Sequence, residues 1–179
     1  MEIVLCSGSP RRAQLLEMLG LSFKVKPSNA EEIVPDTDSP EEIVMALAKA
    51  KSGTEGDVII SADTIVWYEG RMFGKPADED EAFEMLKTLS GKTHEVYTGI
   101  CVNGKCGYER TFVKFRDLED DEIRAYIKSG EPMDKAGAYG AQGKGALLIE
   151  KIDGDFFNVM GLPISRLSLM LKEVGVNIL

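Results

Sequence analysis

Near the start of the chain one proline separates an apolar run from a helical pattern, in Ile3-Val4-Leu5-Cys6-Ser7-Gly8-Ser9-Pro10-Arg11-Arg12. It restricts the fold more than any other residue. Pro10 has no N–H to donate and its φ is locked near the helical value, so it cannot extend a strand ladder but suits the first position of a helix. The stretch Ile3 to Gly8 therefore reads as a buried strand that ends before Pro10. Leu15, Leu16, Met18 and Leu19 give the apolar face of the helix that follows, which stops near Gly20.

The first turn of that helix holds Arg11 and Arg12. A helix start carries partial positive charge and normally attracts acidic side chains, so two arginines there conflict with the dipole. An anion resolves the conflict. Ser9 is placed to cap the helix, and free backbone N–H groups, the hydroxyls of Ser7 and Ser9 and both guanidinium groups can converge on a phosphate. The competing reading is a capped helix with two solvated arginines.

Further along, Phe23 and Val25 alternate with Lys24 and Lys26 as a half-exposed strand, before a polar loop from Ser28 to Ser39 that contains Glu31 and Glu32. Ser39-Pro40-Glu41-Glu42 has the form of a capping box and opens a helix carrying Ile43, Leu47 and Ala50, with Lys51 near its end. Val58-Ile59-Ile60 is a short apolar run suited to a central strand, and Ser61-Ala62-Asp63-Thr64 follows it directly. An acid at a strand end is a catalytic candidate, because ligands of α/β sheets sit at the C-terminal ends of strands. The alternative for Asp63 is a turn-forming residue.

Ile65 to Tyr68 and Arg71 to Phe73 read as a hairpin around Glu69-Gly70, followed by Gly74-Lys75-Pro76, which puts Lys75 on a constrained loop. Asp78 or a neighbour caps a helix bearing Ala82, Met85, Leu86 and Leu89. The single histidine, His94, has no nucleophile or orienting partner beside it in Thr93-His94-Glu95, which argues for a structural role and against a Ser-His-Asp hydrolase. Ile123, Tyr126 and Ile127 mark a helix that ends at Gly130. The glycine-rich segment from Met133 to Gly145, with Lys135 and Gln142, permits close backbone approach to a ligand, and its other reading is a flexible loop. Its glycines lack the GxGxxG and GxxxxGK[ST] spacings, which excludes dinucleotide-binding and P-loop signatures. Ala146 to Ile152 is then expected as a strand, and Asn158 to Pro163 as a loop into a last helix.

The chain has 179 residues and a formal charge of −9, enough length for one domain with a substantial core and the wrong sign for general binding of a nucleic-acid polymer. A small anionic substrate would need clustered Arg and Lys and a divalent cation to offset the acidic surface. With no signal-like opening and no apolar run of about 20 residues, the expected setting is the cytoplasm, with no membrane contact. Cys6, Cys101 and Cys106 lack the paired spacing of a zinc site. Cys101 and Cys106 flank an Asn103-Gly104 turn and face each other across a hairpin. The reducing cytosol favours free thiols, with a bridge as the lesser alternative.

Taken together, SGSPRR, SADTIV, GKP, SGKTHEVYTG, EPMDKAGAYGAQGKG and KIDGDFFNVMGLP closely resemble the Maf family of nucleoside triphosphate pyrophosphatases, from Leu5 to about Leu169. The resemblance implies a single domain over residues 1–179 with an α/β fold: a mixed, elongated, twisted sheet with flanking helices, forming two lobes around a central cleft. It implies hydrolysis of a nucleotide to its monophosphate and pyrophosphate with a divalent metal, magnesium or manganese. By position it makes Asp63 the proton acceptor, Glu32 a functional carboxylate, and Arg11, Arg12, Lys51, Lys75 and Lys135 the basic residues that line the phosphate site; the reading of the residues themselves adds Ser7 and Ser9 to the phosphate-binding set and a metal shared by Glu32 and Asp63. Arg12, Thr64 and Gln142 match the specificity positions of the branch that acts on dTTP and UTP. The branch acting on methylated GTP is less similar, and a nucleotide-binding regulator of cell division is the rival of another class. A homodimer is left open. Ser61 stands where the family usually has glycine and Ala141 where it usually has isoleucine, departures that bear on pocket shape.

Overall fold

The computed structural model describes residues 1–179. Its strands are β1 (Ile3–Leu5), β2 (Phe23–Val25), β3 (Val58–Tyr68), β4 (Arg71–Phe73), β5 (Thr93–Val102), β6 (Lys105–Phe115) and β7 (Ile149–Asp153). They make one mixed, twisted, open sheet in the order β2-β1-β3-β5-β6-β7, with β4 paired to β3. The α-helices α1 (Pro10–Met18), α2 (Pro40–Ala50), α3 (Glu79–Leu89), α4 (Asp120–Lys128), α5 (Phe156–Met160) and α6 (Ile164–Glu173) flank it. The expected mixed α/β architecture is present. The chain divides into two compact units, the first made of residues 1–64, 98–109 and 161–179, the second of residues 65–97 and 110–160.

In the first unit β1 pairs in parallel with β2 and with β3, placing Ile3 opposite Phe23 and Val58. Parallel strands are buried on both faces, and Val4, Leu5, Val58 and Ile60 are almost wholly covered, as are Leu16 of α1 and Leu47 of α2. Gly99 shows how tightly α2 lies on β5, since a side chain there would put its first carbon 2.2 Å from the Val44 carbonyl oxygen. The β5–β6 turn has Asn103 at φ 48° and Gly104 at φ 80°, the backbone expected of an Asn-Gly hairpin. Cys101 and Cys106 are joined as a disulfide across it, with Cα atoms 4.1 Å apart. The lesser alternative is thus the observed one: the tight turn brings the two residues to the spacing of a close cross-strand pair.

The second unit is built on Phe73, Leu86, Leu89, Val113, Phe115, Ile123, Ile127 and Tyr139. Helix α3 starts at Asp78, whose Oδ1 accepts from Glu81 N at 2.8 Å, and α4 starts with a capping box of Glu119 and Glu122. His94 lies in this core, its Nε2 2.6 Å from the Tyr139 hydroxyl and its ring edge-on to Phe115, which agrees with a structural role.

Four expectations need correction. β3 does not stop at Ile60 but runs through Asp63 to Tyr68, because Ser61, Asp63 and Thr64 all find side-chain or backbone partners that make their burial tolerable. The capping box of α2 is only half made: Ser39 Oγ accepts from Glu42 N, whereas Glu42 takes the Thr37 hydroxyl, and Thr37 Oγ1 in turn accepts from Ser39 N. Residues 143–148 wind as a 3-10 turn, so β7 begins later than periodicity indicates. Asn158 to Met160, the first half of the stretch read as loop, belong to α5, which is started by Asp155 Oδ1 accepting from Phe157 N.

Candidate active site

The start of α1 is as bare as its sequence implies. Ser9 holds the N-cap position without a side-chain hydrogen bond to the helix, no acidic residue lies in the first turn, and the Ser9 N–H donates to Ser7 Oγ at 3.2 Å. A helix start with neither a side-chain cap nor an acid in its own first turn is suited to an anion. Arg11 and Arg12 are both half-buried there.

Arg12 is tied to three separate parts of the first unit. Its Nε donates to the Gly161 carbonyl at 2.7 Å, and its two terminal nitrogens donate to Ser7 Oγ and Thr64 Oγ1, each at 3.0 Å. Gly161 holds φ 115°, a backbone that glycine adopts without strain, while an added side-chain carbon would make only ordinary contact with Arg12 Nε and Thr64 Oγ1, at 3.5 Å. Burial lowers the Arg12 pKa to about 10 against the opposing charge of Asp63, so the guanidinium remains cationic at neutral pH. Thr64 also shares a hydrogen bond of 2.9 Å with Thr98 Oγ1.

Lys51, the residue that closes α2, reaches two carboxylates at once. Its Nζ lies 2.5 Å from Asp63 Oδ1 and 2.8 Å from Glu32 Oε1. Asp63 is buried in mid-strand and Glu32 is exposed on its loop. The helix end that carries Lys51 is fixed by Ser61, whose hydroxyl donates to the Ala48 carbonyl at 2.6 Å. That carbonyl belongs to the last turn of α2, where in-helix partners run out. Two carboxylates that already share one cation have the chemistry for loosely held magnesium, which needs only one or two protein carboxylates beside waters and substrate phosphates. No group of three or more His, Cys, Asp or Glu side chains forms a closed metal cage.

Of the expected site residues, the structure thus brings together Ser7, Arg12, Glu32, Lys51, Asp63 and Thr64, with Ser9 and Arg11 on the same helix start. Lys75, Lys135 and Gln142 belong to the second unit. Lys75 is exposed and its ammonium has no partner in the protein, while its loop is pinned by Gly137 N donating to Gly74 O at 3.0 Å. Lys135 is largely buried and donates to the Glu131 carbonyl at 2.7 Å and to Asp134 Oδ1 at 2.9 Å. Gln142 is exposed just before the 3-10 turn of residues 143–148. Sequence reasoning missed Thr98 and Gly161. A fully buried threonine inside the apolar run of β5 was the available signal for the first; the second contacts Arg12 from 149 positions away and had none.

An α/β protein with a bare helix start, a clamped arginine and a buried strand carboxylate held to a lysine has the equipment to receive an anionic substrate. The family model for Maf-like proteins matches residues 2–174, and the chain belongs to this family. It is similar to proteins named dTTP/UTP pyrophosphatase: 49% identical to two from strains of Bacillus cereus, and 48% identical to one from Bacillus thuringiensis subsp. konkukian. Each match covers 99% of this chain, and 97%, 92% and 97% of the respective relatives.

Proposed function

We propose that the protein is a cytoplasmic nucleoside triphosphate pyrophosphatase that hydrolyses dTTP and UTP to the monophosphate and pyrophosphate. The observation that carries the reading is the buried Asp63 carboxylate, shared with Glu32 through Lys51 and next in sequence to the threonine that Arg12 holds. The relatives named for this activity support the choice of substrates.

Phosphoryl transfer depends mainly on positioning and charge compensation. In this reading the α1 start with Ser7, Ser9 and Arg11 receives phosphate oxygens, and Lys51, Lys75 and Lys135 add positive charge. Arg12 uses three of the five N–H donors of a guanidinium on the protein, so two remain for a phosphate. Glu32 and Asp63 are the residues that would hold magnesium or manganese, which supplies charge compensation when bound. Asp63 accepts a proton from the attacking water as the water oxygen bonds to the α phosphorus. The α–β anhydride bond breaks, pyrophosphate leaves with the electron pair, and Asp63 returns the proton to solvent. Gln142 reads the base: its amide oxygen accepts from N3–H of uracil or thymine while its NH2 donates to O4.

A panel of UTP, dTTP, CTP, GTP and 7-methyl-GTP, assayed for pyrophosphate with added magnesium, tests this directly. UTP and dTTP are expected to be the best substrates, with activity lost on chelation. Orthophosphate as the first product would refute α–β cleavage, and preference for 7-methyl-GTP would refute the substrate assignment.

A further inference from the structure

The base-reading role proposed for Gln142 raises a physical problem. A glutamine amide carries both a donor and an acceptor, so a loop free to shift could present either one to the same base atom and serve cytosine as readily as uracil. Selectivity needs a fixed loop. The loop around Gln142 is fixed, and by two residues to which no role has been given.

Glu131 and Tyr126 hold the loop on both sides of Gln142. On the near side, the Gly140 N–H donates to the Tyr126 hydroxyl at 3.1 Å, and that hydroxyl donates to Glu131 Oε1 at 2.8 Å. On the far side, Gly145 N donates to Glu131 Oε1 at 3.0 Å and Lys144 N to Glu131 Oε2 at 3.1 Å. The loop closes so tightly that a side-chain carbon on Gly145 would lie 1.9 Å from Gly140 O and 2.6 Å from the Tyr126 hydroxyl. The Glu131 main-chain carbonyl accepts from Lys135 Nζ at 2.7 Å, and the Lys135 side chain packs under Gly140. Burial raises the Glu131 pKa, but the bonds from Tyr126, Gly145 and Lys144 and the charge of Lys135 outweigh it and leave the carboxyl below its ordinary value. It is an acceptor with both oxygens occupied.

We propose that Glu131 and Tyr126 are positioning residues for base selectivity: by gripping Gly140, Lys144 and Gly145 they fix the orientation in which Gln142 meets the pyrimidine. The inference rests on the proposed reading of Gln142. Tyr126 sits on α4, whose capping box and buried Ile123 and Ile127 anchor it in the core, so the grip transmits the rigidity of the second unit to an exposed turn.

Glu131→Gln, Tyr126→Phe and Gln142→Glu are compared with wild type in two measurements. The first is amide exchange at Gly140, Lys144 and Gly145; the second is the ratio of kcat/KM for UTP to that for CTP under saturating magnesium. Tyr126→Phe removes one hydroxyl from a packed ring and keeps the fold testable should Glu131→Gln unfold. The grip predicts exchange about tenfold faster at Gly140 in Tyr126→Phe, and at Lys144 or Gly145 in Glu131→Gln. It also predicts a UTP-to-CTP ratio lowered about two- to tenfold in both, mainly through KM. A ratio lowered in Gln142→Glu but unchanged in the other two overturns this inference and spares the reading of Gln142. An unchanged ratio in Gln142→Glu overturns that reading and this inference with it. Unchanged exchange in Tyr126→Phe and Glu131→Gln would show that the loop is held by something else, and overturns the grip regardless of activity.

Discussion

Asp63 is a carboxylate buried in the middle of a strand, with a lysine 2.5 Å away that two carboxylates share. An asparagine of the same shape keeps an oxygen for Lys51 but cannot take a proton from water. Asp63→Asn is therefore expected to bind nucleotide with little change and to lose about two to three orders of magnitude in kcat for UTP, the usual scale for a general acid–base group. Wild-type turnover in single-turnover assays of that variant would remove Asp63 from the reaction. The identity of Asp63 as a candidate was legible from its place after an apolar run; its depth inside β3 was not, because nothing local announces that Lys51, Arg12 and Ala48 supply the partners of Asp63, Thr64 and Ser61. Arg12 gives the same lesson in reverse. SPRR advertises a phosphate site, yet most of what Arg12 does in the structure is to join Ser7, Thr64 and Gly161, and a contact spanning 149 positions leaves no local pattern.

Among the elements, helix starts were the most legible. Pro10, Pro40 and Asp78 mark α1, α2 and α3 where expected, because capping and proline effects act within one turn. Turns of 3-10 type were not, since in residues 143–148 the N–H groups of Lys144 and Gly145 donate to the side chain of Glu131, which lies outside the turn's own sequence. The joint between α2 and β3 can be tested through Ser61, the residue that replaces the family's usual glycine. Its buried hydroxyl donates to a helix-end carbonyl, so Ser61→Ala leaves that carbonyl unsatisfied and is expected to cost about 1 to 3 kcal/mol in urea unfolding. Because the same joint sets Lys51 against Asp63, kcat should fall in the variant as well. Unaltered stability would mean that the Ala48 carbonyl finds another donor.

For the molecule as a whole, the mixed sheet was expected but its strand order was not readable, since pairing partners lie far apart in the chain and each strand's own pattern is silent about its neighbours. A buried histidine exposes one global consequence to measurement. His94 is the only histidine of the chain, its Nδ1 has no hydrogen-bonding partner, and burial lowers its pKa from 6.5 to about 3. Above pH 6.5 the ring is neutral in both the folded and the unfolded chain, and it adds no pH dependence. Between 6.5 and 3 the unfolded chain binds a proton that the folded one refuses, so stability falls as the pH falls, by about 1.4 kcal/mol per unit once well below 6.5. From pH 6.5 to 5 the expected loss is about 1 to 2 kcal/mol. The carboxyls of Glu2, Glu55, Glu122 and Glu131 are held below their ordinary range, Glu2 by Lys24, Glu55 by Lys26, Glu122 by Arg116, and Glu131, against the effect of burial, by its hydrogen bonds. His94→Phe removes the titrating ring while keeping an aromatic group beside Phe115, although it gives up the bond to Tyr139. The test lies in the slope and not in the stability at pH 7: urea unfolding at pH 7, 6 and 5 should show the wild type weakening and the variant nearly level. Parallel slopes for the two proteins would mean that His94 takes up its proton in the folded state.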